Sequence, residues 1–112
     1  MKKLYIITGA AGHLGSTIIK LLESRNQQAR GLILPSESAE NTKHTTYYKG
    51  DVTQPDTLRP LFENTGLSKL ILIHTAGIID ISGELTPKMY EVNVNGTKNV
   101  LKLCSEYNVS LS

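Results

Sequence analysis

A chain of 112 residues with 39% apolar content has material for one core and one small domain, and little for a second, substrate-binding lobe. Its 12 basic and 10 acidic residues are spread along the chain and sum to +2, without the clustered Lys/Arg stripe that nucleic-acid binding needs. Cys104 stands alone, which excludes an internal disulfide or a cysteine zinc cluster, and no apolar run is long enough to span a bilayer or to serve as a signal peptide, so a soluble, cytoplasmic protein is expected.

Leu4 to Thr8 is a compact apolar run ended by glycine and predicts a buried strand. Leu14, Ile18, Ile19, Leu21 and Leu22 then recur at helical spacing, so a helix follows the strand across a glycine-rich turn. Gln28 to Leu34 reads as a second strand, stopped by Pro35, which has no amide donor for a central ladder. Residues 35–46 are polar and unpatterned and predict an exposed connection, the segment expected to be most mobile. Thr45 to Tyr48 gives a weak third strand. Pro55 to Asn64 follows as a helix carrying Leu58, Leu61 and Phe62, with Gly66 as its stop. Lys69 to Thr75 is a nearly unbroken Leu/Ile run and predicts a fourth strand buried on both faces. A last helix is expected from Pro87 to Tyr107, with Thr86 as N-cap and Met89, Val92, Val100, Leu101 and Leu103 turned inward; Cys104 sits on it as a small buried residue.

Strands alternating with helices, the strands apolar throughout, predict an α/β fold: a doubly wound parallel sheet joined by right-handed crossovers in strand order 3-2-1-4. The chain holds no internal repeat, low-complexity tract or interdomain linker, so residues 1–112 are expected to form one domain.

The segment Thr8-Gly9-Ala10-Ala11-Gly12-His13-Leu14-Gly15 lies where the first strand meets the first helix, the context in which a glycine pattern becomes informative. Gly9 permits a tight turn, Gly12 lets backbone amides approach a pyrophosphate, and Gly15 allows the helix to pack closely. The amides and the positive dipole end of the helix, around Ala11, His13 and Leu14, would hold the phosphates of a dinucleotide. A P-loop is disfavoured, because His13 and Leu14 stand after Gly12 and no Gly-Lys-Ser/Thr closes the turn.

This TGxxGxxG arrangement resembles that of the short-chain dehydrogenase/reductase superfamily, a Rossmann-type fold, and three further segments resemble its extended branch. Gly50-Asp51-Val52-Thr53 is similar to the GDVT segment, whose carboxylate and next amide contact adenine. His74-Thr75-Ala76-Gly77 is similar to HxAG, whose small residues let the backbone lie against the cofactor. Tyr90 to Val100 is close to the VNVxGTxNVL helix, in which Asn93 helps to order the nicotinamide end and Gly96 lets the helix approach the sheet. The resemblance covers residue 2 to about residue 109 and is nearest to the dihydroflavonol reductase, 3β-hydroxysteroid dehydrogenase and NAD-dependent epimerase/dehydratase groups. It implies an NAD(P)-binding part of an oxidoreductase or epimerase that moves hydride between a nicotinamide and a carbonyl/alcohol substrate.

Two departures limit that reading. The family's Tyr-x-x-x-Lys pair is absent after all five tyrosines, so no catalytic residue is assigned and the chain is expected to be an inactive N-terminal piece, ending before its fifth strand. Its fourth strand would then be an open, apolar edge, and self-association through it is expected. Neither an acid nor an arginine closes the second strand; Ser36 could bond either cofactor, and the reductase-like resemblance leans to NADP over NAD. His13 in the turn could meet a phosphate if protonated, or stand there as a solvated turn residue; His74 at a strand end and His44 in the loop read as structural or solvated residues, as do Asp80 and Glu84, and no metal site is expected. The rival reading is a dinucleotide-sensing or protein-interaction module of the same fold, without turnover.

Overall fold

The computed structural model describes residues 2–63, 69–76 and 87–111. The expected stop at Gly66, the cap at Thr86, Gly77, Asp80 and Glu84 lie outside the described residues.

Strand β1 (Lys3–Thr8) leads through the glycine turn into helix α1 (His13–Ser24), and β2 (Gln28–Ile33) and β3 (Thr45–Lys49) follow. After a 3-10 turn at Pro55–Thr57 come α2 (Arg59–Phe62), β4 (Lys69–His74), α3 (Pro87–Tyr90), a π-helical turn (Glu91–Gly96), α4 (Thr97–Glu106) and β5 (Ser110–Leu111). All pairings are parallel, in the order β3-β2-β1-β4-β5. The expected 3-2-1-4 order is therefore present and continues by one short strand. Contrary to an ending before the fifth strand, Ser110 and Leu111 pair with Ile71 and Leu72, so part of the β4 edge is covered.

The sheet is buried on both faces because consecutive strand residues point to opposite sides. Ile7, Ala29 and Ile33 pack with Ile19 and Leu22 of α1. Their chain neighbours Ile6 and Leu32 meet Leu58, Leu61 and Phe62 around α2 and Val100, Leu103 and Cys104 of α4 on the other face. Helical geometry selects among the apolar residues. In α1 the buried stripe is Gly15, Ile19 and Leu22, while Leu14 and Leu21, seven residues apart on the flank, are about half exposed or more. In α4 the expected inward Leu101 is 45% exposed, because the stripe runs through Val100, Leu103 and Cys104. The final helix is also not continuous α-helix: its middle turn is widened into the π form. Asn26 and Asn108, both with φ of 57°, turn the chain out of α1 and α4 in the left-handed region.

Two polar devices close the frame. The connection between β2 and β3 is largely exposed but tied down: Asn41 Oδ1 accepts from the Tyr47 amide at 2.8 Å, and Glu23 accepts from the Thr42 hydroxyl, which holds the Glu23 carboxyl below its usual range. Arg30 reaches from β2 to the end of α2, where its Nη1 donates to the carbonyls of Leu61 (3.0 Å) and Glu63, and its guanidinium lies 5.7 Å from the Tyr48 ring centroid. Arg30→Met keeps the apolar stem but orphans those carbonyls. We expect it to cost about 2 kcal/mol in chemical denaturation, and an unchanged midpoint would show that the contacts stabilise nothing.

Candidate functional site

A cleft of ≈ 250 Å³ opens over the carboxyl ends of β1, β2, β3 and β4. Ligands of open α/β sheets bind outside the carboxyl ends of the strands, where the connections diverge. Its floor is the glycine turn. Gly9 has φ of +63°, and a Cβ there would lie 2.7 Å from Thr75 Oγ1 and 2.9 Å from the Ala76 amide nitrogen, so the position requires glycine. The Ala10 amide donates to Leu32 O (3.0 Å) and the Gly12 amide to Gly9 O (3.0 Å), which locks the turn onto β2. Gly12 serves as the N-cap of α1 with no side-chain cap and no acid in the first turn. The first amides of α1 have no intrahelical acceptor, so they form a donor set with positive potential suited to an anion.

The wall above β1 and β4 is organised by Thr8, which is fully buried. Its Oγ1 accepts from the amides of Thr75 (2.9 Å) and Ala76 (3.2 Å) and lies 2.6 Å from His74 Nδ1. His74 Nε2 lies 3.0 Å from Thr97 Oγ1, whose own proton goes to the Asn93 carbonyl (2.8 Å). Burial pushes the imidazole pKa down, in keeping with a neutral ring.

On the β3 side, Asp51 Oδ1 accepts from both the amide (2.9 Å) and the hydroxyl (2.8 Å) of Thr53, while the Asp51 amide donates to Thr57 Oγ1 (2.9 Å). Asn99 Nδ2 donates to Val52 O (2.9 Å), and a Cβ on Gly96 would come within 2.5 Å of Val52 Cγ2. Gly96 therefore brings the helix against the Val52 loop, where an approach to the sheet was expected.

Among the expected site residues, Gly9, Gly12, Asp51, Val52, Thr75 and Ala76 line the cleft together. Ala11, His13 and Leu14 are exposed on the outer side of the turn, Gly15 is buried beneath it, and Asn93 is half-buried in the π turn. Ser36 is exposed and does not line the cleft. The residue that does, beside Ile33 and Leu34, is Glu37, whose Oε1 accepts from the Leu34 amide at 2.7 Å. Glu37 lies four positions beyond Ile33, outside the strand end where such a residue is expected; the Leu34 to Glu37 turn, closed by Glu37 N donating to Leu34 O (2.9 Å), folds it back. Lys88 and Val92, on the far wall, were likewise not among the expected site residues, and nothing local in the sequence brings α3 to the cleft. Among the described residues no group of three His, Cys, Asp or Glu is placed to hold a metal ion, and no helix is long and apolar enough to cross a membrane.

Comparison with known proteins agrees with this geometry. The profile of the 3-beta hydroxysteroid dehydrogenase/isomerase family matches residues 6–111. The chain is 34% identical over 110 residues to 3 beta-hydroxysteroid dehydrogenase type 7 of Mus musculus, covering 90% of this chain and 29% of that protein. It is 30% identical over 112 residues to 3 beta-hydroxysteroid dehydrogenase/Delta 5-->4-isomerase of Monkeypox virus, covering 95% of this chain and 31% of that one. The chain thus spans about three-tenths of the length of these relatives. In fold it is similar to the Bordetella bronchiseptica enzyme WbmH in complex with NAD+ (TM-score 0.73, 20% identity, 97% of this chain and 37% of that one). It is also similar to a UDP-glucose 4-epimerase (TM-score 0.75, 23% identity, 96% and 33%).

Proposed function

We propose that this chain, which belongs to the 3-beta hydroxysteroid dehydrogenase/isomerase family, is the dinucleotide-binding part of an NAD-dependent enzyme acting on an alcohol/carbonyl pair. One observation carries the reading: the cleft lies over an uncapped helix N-terminus whose approach is kept open by Gly9 and Gly12. A pyrophosphate fits there, with Ala11, His13 and Leu14 around it and Gly15 setting the depth of the helix beneath. The adenosine end would lie toward Leu34, Asp51 and Val52, and the nicotinamide end toward Thr75, Ala76 and Asn93, with Gly77 assigned by resemblance alone. Bound nicotinamide would supply the hydride acceptor or donor; this chain's residues bind and orient it, and the proton-transferring pair is assigned to no residue here. The names of the relatives make a 3β-hydroxysteroid the first substrate to assay. A buried, free Cys104 suits a reducing, cytoplasmic setting.

The cofactor we propose is NAD, against the lean to NADP drawn from the reductase-like resemblance, because Glu37 and not Ser36 lines the cleft beside the end of β2, where the ribose is proposed to lie. A carboxylate there accepts from a ribose 2′-hydroxyl and repels a 2′-phosphate. Calorimetric titration of the full-length protein is expected to give NAD an advantage of about 10- to 100-fold over NADP. Glu37→Gln should narrow it to roughly a few-fold, and Ser36→Ala should leave it unchanged. Equal affinities in the parent would sink the NAD preference, and no binding of either would sink the cofactor reading.

A further inference from the structure

The hydrogen bonds around His74 run in one direction only. Thr97 Oγ1 spends its single proton on the Asn93 carbonyl, so toward His74 it can only accept, and Nε2 must carry the ring proton. Thr8 Oγ1 accepts two amides, from Thr75 and Ala76, so its proton is left for His74 Nδ1. The two assignments are independent and give the same neutral tautomer. The chain of bonds that results begins at the backbone of the cleft wall, passes through Thr8, His74 and Thr97, and ends on the carbonyl of Asn93.

We propose that His74 is a positioning residue, a neutral imidazole joining the Thr8–Ala76 wall to the π turn that carries Asn93, so that the two parts of the cleft meet the dinucleotide in a set register. This rests on the cofactor reading above. β4 and the π turn come from distant parts of the chain, and a half-buried ring with both nitrogens engaged holds them at one separation. A phenyl ring of the same size would fill the space without that link. The widened turn adds a reason for the link: its carbonyl at Asn93 receives a side-chain hydroxyl, and that hydroxyl is oriented by His74.

The test is NAD titration of the full-length protein with His74→Asn, which keeps an acceptor near Thr8 and loses the reach to Thr97, with Thr97→Val, and with both. Each single change is expected to weaken NAD binding about tenfold, and the double change no further, because both cut one link. ¹⁵N-histidine spectra of the cofactor-free parent at neutral pH should show His74 protonated at Nε2 and bare at Nδ1. Additive losses, unaltered affinity in Thr97→Val, or the opposite tautomer would overturn the positioning role while leaving the cofactor reading intact. A parent that binds no dinucleotide overturns both. Because Thr97→Val is nearly isosteric, it separates the loss of a hydrogen bond from a failure to fold, which a thermal melt of each variant checks.

Discussion

Gly15→Ala should drive the chain toward the unfolded state. A Cβ at this buried position in the first turn of α1 would lie 2.2 Å from Gly9 O, 2.9 Å from Gly9 C and 3.1 Å from Ala10 Cα. All three are backbone atoms, so no side-chain rotation relieves the overlap. The helix would have to withdraw from the turn, and Ile19 and Leu22 would lose their seat against Ile7, Ala29 and Ile33. A cost of about 3 kcal/mol or more is expected, a large share of the stability of a domain this size. That corresponds to a fall of roughly 10 °C or more in Tm, read by far-UV circular dichroism. A melt within a few degrees of the parent would show that the turn yields and that the close approach of α1 is not required.

Gly12→Val separates binding from folding. Gly12 has φ of −73° and ψ of 169°, extended backbone open to any residue, and its added Cβ would meet only Gly9 O, at 3.3 Å. The valine methyls then project over the amides at the head of α1, where the pyrophosphate is proposed to lie. Dinucleotide affinity is expected to fall by about 100-fold or more, with Tm lowered by only about 5 °C, because valine is a poorer N-cap than glycine and crowds Gly9 O slightly. The glycines three positions apart thus have opposite expected signatures, Gly15 in the melt and Gly12 in the titration. A Gly12→Val protein that binds NAD as the parent does would remove the phosphates from this turn and leave the cleft without its proposed ligand.

How far the site can be read in the sequence depends on whether its residues are neighbours along the chain. The strand, glycine turn and helix from Lys3 to Ser24 are local: apolar run, glycines and helical periodicity lie within one stretch of sequence and agree with one another. Asp51, Val52, Thr75 and Ala76 were legible only through the resemblance of their short contiguous segments to those of the family. Glu37 was not legible, because its place in the cleft depends on a turn that carries it back past the strand end, and Ser36, one residue nearer, is turned to solvent. Leu101 is exposed, where an inward position is expected, because an apolar residue in a helix can lie on either side of the buried stripe and the packing of Val100, Leu103 and Cys104 sets where that stripe runs. The two-residue β5 is too short to carry a periodic signal, and pairing with β4 defines it.

The sequence by itself determined the alternation of elements and the glycine turn, because apolar periodicity and backbone freedom act within a few residues of one another, and the right-handed crossovers of a doubly wound fold made 3-2-1-4 the expected strand order. Tertiary structure alone decided which carboxylate faces the cleft and which leucines are left exposed. It also decided that a histidine which reads as structural should join Thr8 to Thr97, residues 89 positions apart in the chain. Those outcomes rest on hydrogen-bond directions and on contacts between distant segments, which exist only once β1, β4 and the last helix have been brought together.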